Sequence, residues 1–111
     1  MIEIAIQGFL DDHLSVPSFL ERPEEPPKRF VLFEKTGSGE RNHLPSSTFA
    51  FQSYGLSMYE AAKLNEEVKS AVKAMIEIDL ISQIKLNSDY NFTDTSTKEY
   101  RYQAVFDINH Y

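Results

Sequence analysis

One long segment, residues 57–78, constrains the fold because its apolar side chains recur at helical spacing. They fall on one side of an α-helix; they are Ala61, Leu64, Val68, Ala71, Val72, Met75 and Ile76. Ser57 and Glu60 have the spacing of a capping box, which predicts where the helix begins. A helix of this length extends about 30 Å. Because it cannot bury its apolar side alone, the rest of the chain must supply a covering surface.

The segments on either side of this helix predict a sheet and a second, shorter helix. Residues 1–13 have apolar side chains at helical spacing, although the alternation of residues 2–6 leaves a strand as the competing interpretation. The predicted strands cover residues 16–20, 28–35, 47–54, 82–86 and 100–108. Residues 21–27 are polar and rich in proline, so they predict an extended surface segment. Residues 36–46, which contain two glycines able to adopt positive φ, predict a long exposed loop.

This pattern predicts an α+β fold and a single domain, residues 1–111. The expected architecture is an antiparallel sheet of four to five strands, packed on one long helix, with a short N-terminal helix. A chain of 111 residues has the length of one domain and buries enough surface for a core.

Composition excludes several classes of protein. The chain contains no cysteine, which excludes disulfides and thiolate metal sites. Its net charge of −6 argues against general nucleic-acid binding, which needs a basic surface. No apolar run reaches the ~18 residues required to cross a bilayer, and the N-terminal residues lack the basic leader of a secretory signal. These features predict a soluble, intracellular protein with no membrane or nucleic-acid partner.

The sequence predicts no catalytic, cofactor-binding or metal site. The three histidines are His13, His43 and His110, and none has a second histidine at metal-ligand spacing. His43 lies in the predicted loop, where its neighbours Arg41 and Asn42 suit contact with a partner better than catalysis. We therefore expect a protein that is not an enzyme; a small hydrolase that uses His43 with acidic partners is the remaining catalytic alternative.

The aromatic strands predict a surface that contacts another chain. Phe30 and Leu32 point to one face of their strand, whereas Val31 and Phe33 point to the other. A two-layer domain has one inner sheet face, so part of this apolar surface is expected to meet another protein. We select Phe30, Val31 and Phe33 as interface candidates.

Several short motifs occur in a recognisable order along the chain. They are Pro27, Arg29, Phe30, Val31 and Phe33 at the start of a strand, Gln52-Ser53-Tyr54 at the end of the next, Ser57, Ala61, Ala62 and Leu64 in the long helix, and Tyr100-Arg101-Tyr102 in the last strand. Together with the opening helix and the glycine-containing loop, this order resembles the tail-terminator proteins of long-tailed bacteriophages, also described as tail-completion or tail-to-head joining proteins.

The resemblance implies a structural role in virion assembly. Such proteins form a ring, usually a hexamer, that caps the tail tube, stops its polymerisation and presents a surface to the head connector. The implied partners are other copies of the chain, the tail tube protein and the head-connector or head-closure protein. The implied location is the host cytoplasm during assembly and then the tail–head junction of the virion. We add Lys35 immediately before the loop, Arg41, Asn42 and His43 within it, and Tyr54 and Arg101 from the matching strands, to the interface candidates.

Two other functions remain open at this point. A head-closure or other minor neck protein of the same virion would show a similar pattern. The chain could also be a small cytosolic adaptor or regulatory module that binds a peptide along its sheet edge.

Overall fold

The computed structural model describes residues 2–41 and 43–111, and only the backbone at residue 41. In chain order its elements are α1 (Ile2–His13), β1 (Ser18–Phe19), β2 (Phe30–Arg41), β3 (Leu44–Gly55), α2 (Met58–Ala74), a 3₁₀ turn (Met75–Glu77), β4 (Ile81–Asn91) and β5 (Tyr100–His110). The fold is α+β, as predicted. The helical interpretation of the N-terminal residues is also confirmed.

The five strands form one sheet in the order β1-β2-β3-β5-β4. Three of the four neighbouring pairs are antiparallel, but β1 runs parallel to β2. The prediction of an antiparallel sheet is therefore wrong for this pair. A parallel pair needs a return segment, and residues 20–29, which we call the connector, carry the chain back from the end of β1 to the start of β2.

The long helix begins as predicted but ends earlier. The Ser57 hydroxyl accepts a hydrogen bond from the Glu60 backbone N–H at 3.1 Å, which is the N-terminal half of a capping box. The Glu60 carboxylate accepts instead from the Leu56 backbone N–H at 3.0 Å, so the reciprocal half differs from the prediction. The α-helix ends at Ala74, and Ile76, in the 3₁₀ turn that follows, is half exposed rather than part of the buried stripe.

Both helices pack on the same face of the sheet and enclose the core with it. Four phenylalanines on this face are fully buried: Phe33, Phe49, Phe51 and Phe106. Their rings contact one another at centroid distances between 5.6 and 6.4 Å. Burial of each large apolar side chain stabilises the fold by roughly 1.5–3 kcal/mol. We call the opposite side of the sheet the outer face.

The prediction of a long exposed loop at residues 36–46 is wrong. β2 and β3 continue through this region as a hairpin, with residues 42 and 43 between the paired positions Arg41 and Leu44. No glycine of the described chain has a positive φ; within residues 36–46 the positive value, 66°, belongs to His43 in the turn. The glycines instead lie in extended strand, after a register shift between Lys35 and Gly37.

Candidate interaction surfaces

At one end of the outer face, two arginines pack against aromatic rings. We call Arg22, Phe30, Tyr54, Phe92 and Arg101 the arginine–aromatic cluster. Phe30 and Tyr54 are directly opposite in the β2–β3 ladder, and their rings stack at a centroid distance of 4.3 Å with an angle of 8° between the planes. The Arg22 guanidinium lies 5.5 Å from the Tyr54 ring, and that of Arg101 lies 4.6 Å from the Phe92 ring. Such cation–π contacts are worth about 0.5–1 kcal/mol each at exposed sites.

An ion pair between Arg22 and Glu99 attaches the connector to the sheet. The two Arg22 terminal nitrogens each donate to a Glu99 carboxylate oxygen, one of them at 3.1 Å. This bidentate contact raises the pKa of Arg22 and lowers the pKa of Glu99, chiefly through the side-chain hydrogen bonds. Because Arg22 lies over Phe30 and Tyr54, the attached connector covers both rings.

A row of hydrogen-bonded side chains crosses the outer face from this cluster. Arg101 Nη1 donates to the Tyr54 hydroxyl at 3.0 Å, and that hydroxyl donates to Gln52 Oε1 at 3.1 Å. Gln52 Nε2 donates to Gln103 Oε1 at 2.8 Å, and Gln103 Nε2 donates to the Tyr90 hydroxyl. The row links β3, β5 and β4, so it holds polar groups in fixed positions across the sheet.

At the other end of the molecule, the β2–β3 hairpin extends beyond the rest of the sheet. We call residues 37–45 the arm. β5 pairs with β3 only as far as Ser46, and β1 pairs with β2 only at Val31 and Leu32. Residues 40–45 therefore project as a two-stranded ribbon, whereas residues 37–39 lie opposite β3 residues that β5 also pairs, so that only their β2 edge is open. The molecule is elongated, with principal extents of 43 × 24 × 24 Å. The described side chains of its β2 half are all exposed.

Four predicted interface residues are buried within the chain. Val31 and Phe33 are fully buried beneath the helices, so the expectation that they contact a partner is wrong for the folded chain. Both side chains point to the face of the sheet on which the helices pack. Phe30 and Tyr54 lie on the outer face, but with 3% and 4% exposure they are already covered, largely by the connector and by each other.

The remaining predicted residues separate into two regions. Arg101 joins Phe30 and Tyr54 in the arginine–aromatic cluster. Lys35 is at the base of the arm, where its ammonium is 3.8 Å from the Glu3 carboxylate, and the fully exposed His43 is at the tip. The side chain of Arg41 and the whole of Asn42 lie outside the described residues.

Sequence reasoning missed Arg22, Glu99 and the two glutamines of the outer face. Gln52 and Gln103 occupy polar positions in otherwise apolar alternating strands, and each strand was recognised. Their direct pairing requires the register of β3 against β5, which a single sequence does not contain. Arg22 pairs with Glu99 across 77 positions of the chain, so no local pattern indicates the contact.

The described residues form no site typical of catalysis or ligand binding. Two concavities, of about 250 and 230 Å³, flank Gly55; pockets for small molecules usually have about 300–1,000 Å³. Within residues 2–41 and 43–111, no three His, Asp or Glu side chains are grouped to hold a metal ion. None of the helices in that part of the chain is both long and apolar enough to span a membrane.

Comparison with protein-family models matched none of them to this chain, and comparison with curated proteins found no significant match.

Proposed function

We propose that the chain is a structural tail-completion protein of a long-tailed bacteriophage. In this proposal, copies of the chain form a closed ring, hexameric in the simplest case, that caps the tail tube and presents a surface to the head connector. The opening helix, the aromatic strands, the long helix and the last strand occur in the chain order on which the sequence resemblance rests, whereas the glycine-containing segment is paired strand rather than loop. Its partners are other copies of the chain, the tube protein and the head-closure protein, at the tail–head junction.

The arm is the observation that carries the proposal. A two-stranded hairpin without further support is marginally stable in water, and loops or extensions of this kind commonly carry binding function. The arm extends from a helix-packed sheet whose core needs no contribution from it. A projecting ribbon of this kind suits contact between neighbouring subunits or between stacked rings.

A genetic experiment tests this function. Deletion of the gene in its phage should yield lysates with unattached heads and overlong or unfinished tails, seen by electron microscopy. Complementation with the intact gene should restore joined particles. Normal particles from the deletion strain would refute the proposal.

Complementation with an altered arm tests the part assigned to it. Replacing residues 40–45 by Asn-Gly connects Gly39 to Ser46, which are already paired and direct their backbone groups toward each other, through a two-residue turn. The shortened chain should fold but fail to complement, whereas the exposed helix substitution Lys73→Ala should complement fully. Full complementation by the shortened chain would exclude a role for the arm.

A second candidate function is supported by the open edge of β4. This strand has eleven residues and pairs only with β5 in the described sheet. An adaptor that binds an extended peptide would use such an edge. Native mass spectrometry over a wide concentration range distinguishes the two functions: discrete rings support tail completion, whereas a monomer that takes up one peptide supports the adaptor.

A further inference from the structure

We propose that neighbouring copies join by pairing the β2 edge of one arm with the β4 edge of the next copy. This inference rests on the proposed ring and identifies the surfaces that would close it. The two edges lie on opposite sides of the sheet and differ in sequence. Their contact is therefore heterologous, which is the type that generates rings.

The hydrogen-bonding pattern of β2 identifies the backbone groups that the arm offers. The Val31 backbone N–H points away from β3, because it donates to the Pro17 carbonyl at 3.0 Å. Outward and inward groups alternate along an antiparallel strand, and the register shift before Gly37 changes the count by one residue. Ser38 and Glu40 therefore direct their N–H groups away from β3. Pro45 lies opposite Glu40, in a pair that exchanges no hydrogen bond between β2 and β3. The β2–β3 ladder therefore does not need the N–H that proline lacks.

The side chains along this edge do little to prevent pairing. Natural sheets protect open edges with lysine, proline, bulges or a covering segment. On β2, the covering strand β1 ends at Phe19, opposite Leu32, and a register shift precedes Gly37. Residues 37–39 then present Gly-Ser-Gly, whose small side chains leave the backbone accessible. A third strand would also supply the support that the two-stranded end of the arm, residues 40–45, lacks.

The edge of β4 is the second surface of the proposed contact, and every copy of the chain carries both edges. Register shifts divide β4 into two regular runs, residues 83–86 and 88–91, each of a length comparable to residues 37–41 of the arm. The first run carries the exposed Lys85, and β2 carries the exposed Glu34 on the same outer face of the sheet. This opposite charge favours a contact between unlike edges over pairing of two arms, which would bring the two Glu40 carboxylates together.

Cross-linking of two cysteine variants tests the contact. The natural chain has no cysteine, so an introduced thiol is the single one in each variant. Gly39→Cys and Lys85→Cys both place a thiol on the exposed outer face, and an added Cβ at Gly39 has no heavy atom within 4 Å. After mixing and treatment with a short bismaleimide, the heterodimer should exceed the proportion given by random pairing. Lys73→Cys on the exposed helix surface replaces Lys85→Cys as the matched control.

The outcomes separate this inference from the proposed ring. Rings in native mass spectra with heterodimer no more frequent than with the control would overturn the edge pairing and leave tail completion standing. Predominant Gly39→Cys homodimers would also overturn it, since they indicate arm-to-arm contact. A monomer without cross-links at every concentration would overturn it as well, and the deletion phenotype would then decide tail completion independently.

A second pair of variants tests the backbone hydrogen bonds directly. Ser38→Pro and Ser38→Ala both remove the hydroxyl, but only proline removes the outward N–H. We expect Ser38→Pro to abolish the ring peak while its urea midpoint remains close to that of the natural chain, and Ser38→Ala to retain the ring. Retention of the ring by a folded Ser38→Pro variant would contradict the role of this edge.

Discussion

Substitution of Gly55 by alanine tests the closest packing between the sheet and the long helix. Gly55 ends β3, immediately before α2. An added Cβ would lie 2.8 Å from the Ala61 backbone nitrogen and 2.9 Å from the Glu60 Cβ. This first turn of α2 has little freedom to move, because the Glu60 carboxylate is bonded to the Leu56 N–H at 3.0 Å and to Arg29 Nε at 2.9 Å.

We expect Gly55→Ala to lower the free energy of unfolding by about 1–3 kcal/mol, the usual cost of an overpacked site. Unfolding entropy near 60 °C is about 2.1 cal/mol/K per residue, or roughly 0.23 kcal/mol/K for 111 residues. The corresponding fall in Tm is about 4–13 °C by the same scaling. Urea titration followed by circular dichroism measures the change, since a lower midpoint at constant slope reports stability alone.

Gly39→Ala is the matched control for this experiment. It is an exposed strand position with no atom near the added Cβ. Alanine loses less conformational entropy on folding, so we expect a gain of about 0.5–1 kcal/mol. An unchanged or increased urea midpoint for Gly55→Ala would refute the close approach of β3 to α2. The two glycines should give opposite signs.

Three further predictions concern polar contacts of individual side chains. Ser57→Ala removes the helix N-cap and should cost about 1 kcal/mol of unfolding free energy in urea titration, whereas Ser57→Asp should retain most of it. The Asp89 carboxylate accepts from Lys69 Nζ at 2.6 Å, which raises the pKa of Lys69, and from the buried Asn65 Nδ2 at 2.6 Å. Asp89→Ala removes both contacts and should cost about 1–3 kcal/mol in the same assay; equal stability would show that the two contacts together contribute nothing. Glu99 has a pKa lowered from 4.5 by Arg22, so its contribution is present above pH 4.5 and is lost as pH falls through the lower, folded-state pKa. Glu99→Gln should therefore show a shallower loss of stability in acid, and parallel pH profiles would contradict this linkage.

The helices were predictable because their information is local. The spacing of apolar residues in α2 and the Ser57 cap are contained within a few turns of chain, and both determine the observed helix. The end of the α-helix at Ala74 was harder to predict from the sequence, because Met75 remains buried and continues the apolar pattern into the 3₁₀ turn. A periodic pattern alone does not distinguish these two helix types over three residues.

The arm was missed because its composition is typical of a loop while its backbone is paired. Gly37 and Gly39 weaken strand propensity, and no apolar alternation continues through them. Pairing across the hairpin overrides this local preference: eleven β2 residues have a partner in β3, and the register shift after Lys35 adjusts the ladder to the extra residue. A Gly-Ser-Gly segment can therefore lie in an extended strand when the opposite strand is long enough to pair with it.

The apolar and aromatic side chains of β2 were the basis for predicting a contact surface, but most of this surface is buried within the chain itself. An unbroken apolar run predicts burial on both faces, and Phe30 is indeed 3% exposed on the face without helices. Its cover is the stacked Tyr54 ring and Arg22, and the attachment of Arg22 to Glu99 is unrelated to any apolar pattern. Surplus apolar side chains therefore give weaker support for a partner than the open backbone of the arm, whose outward N–H groups at Ser38 and Glu40 have no strand beside them in the described sheet. This difference is why the proposed subunit contact uses strand edges rather than the stacked aromatic rings.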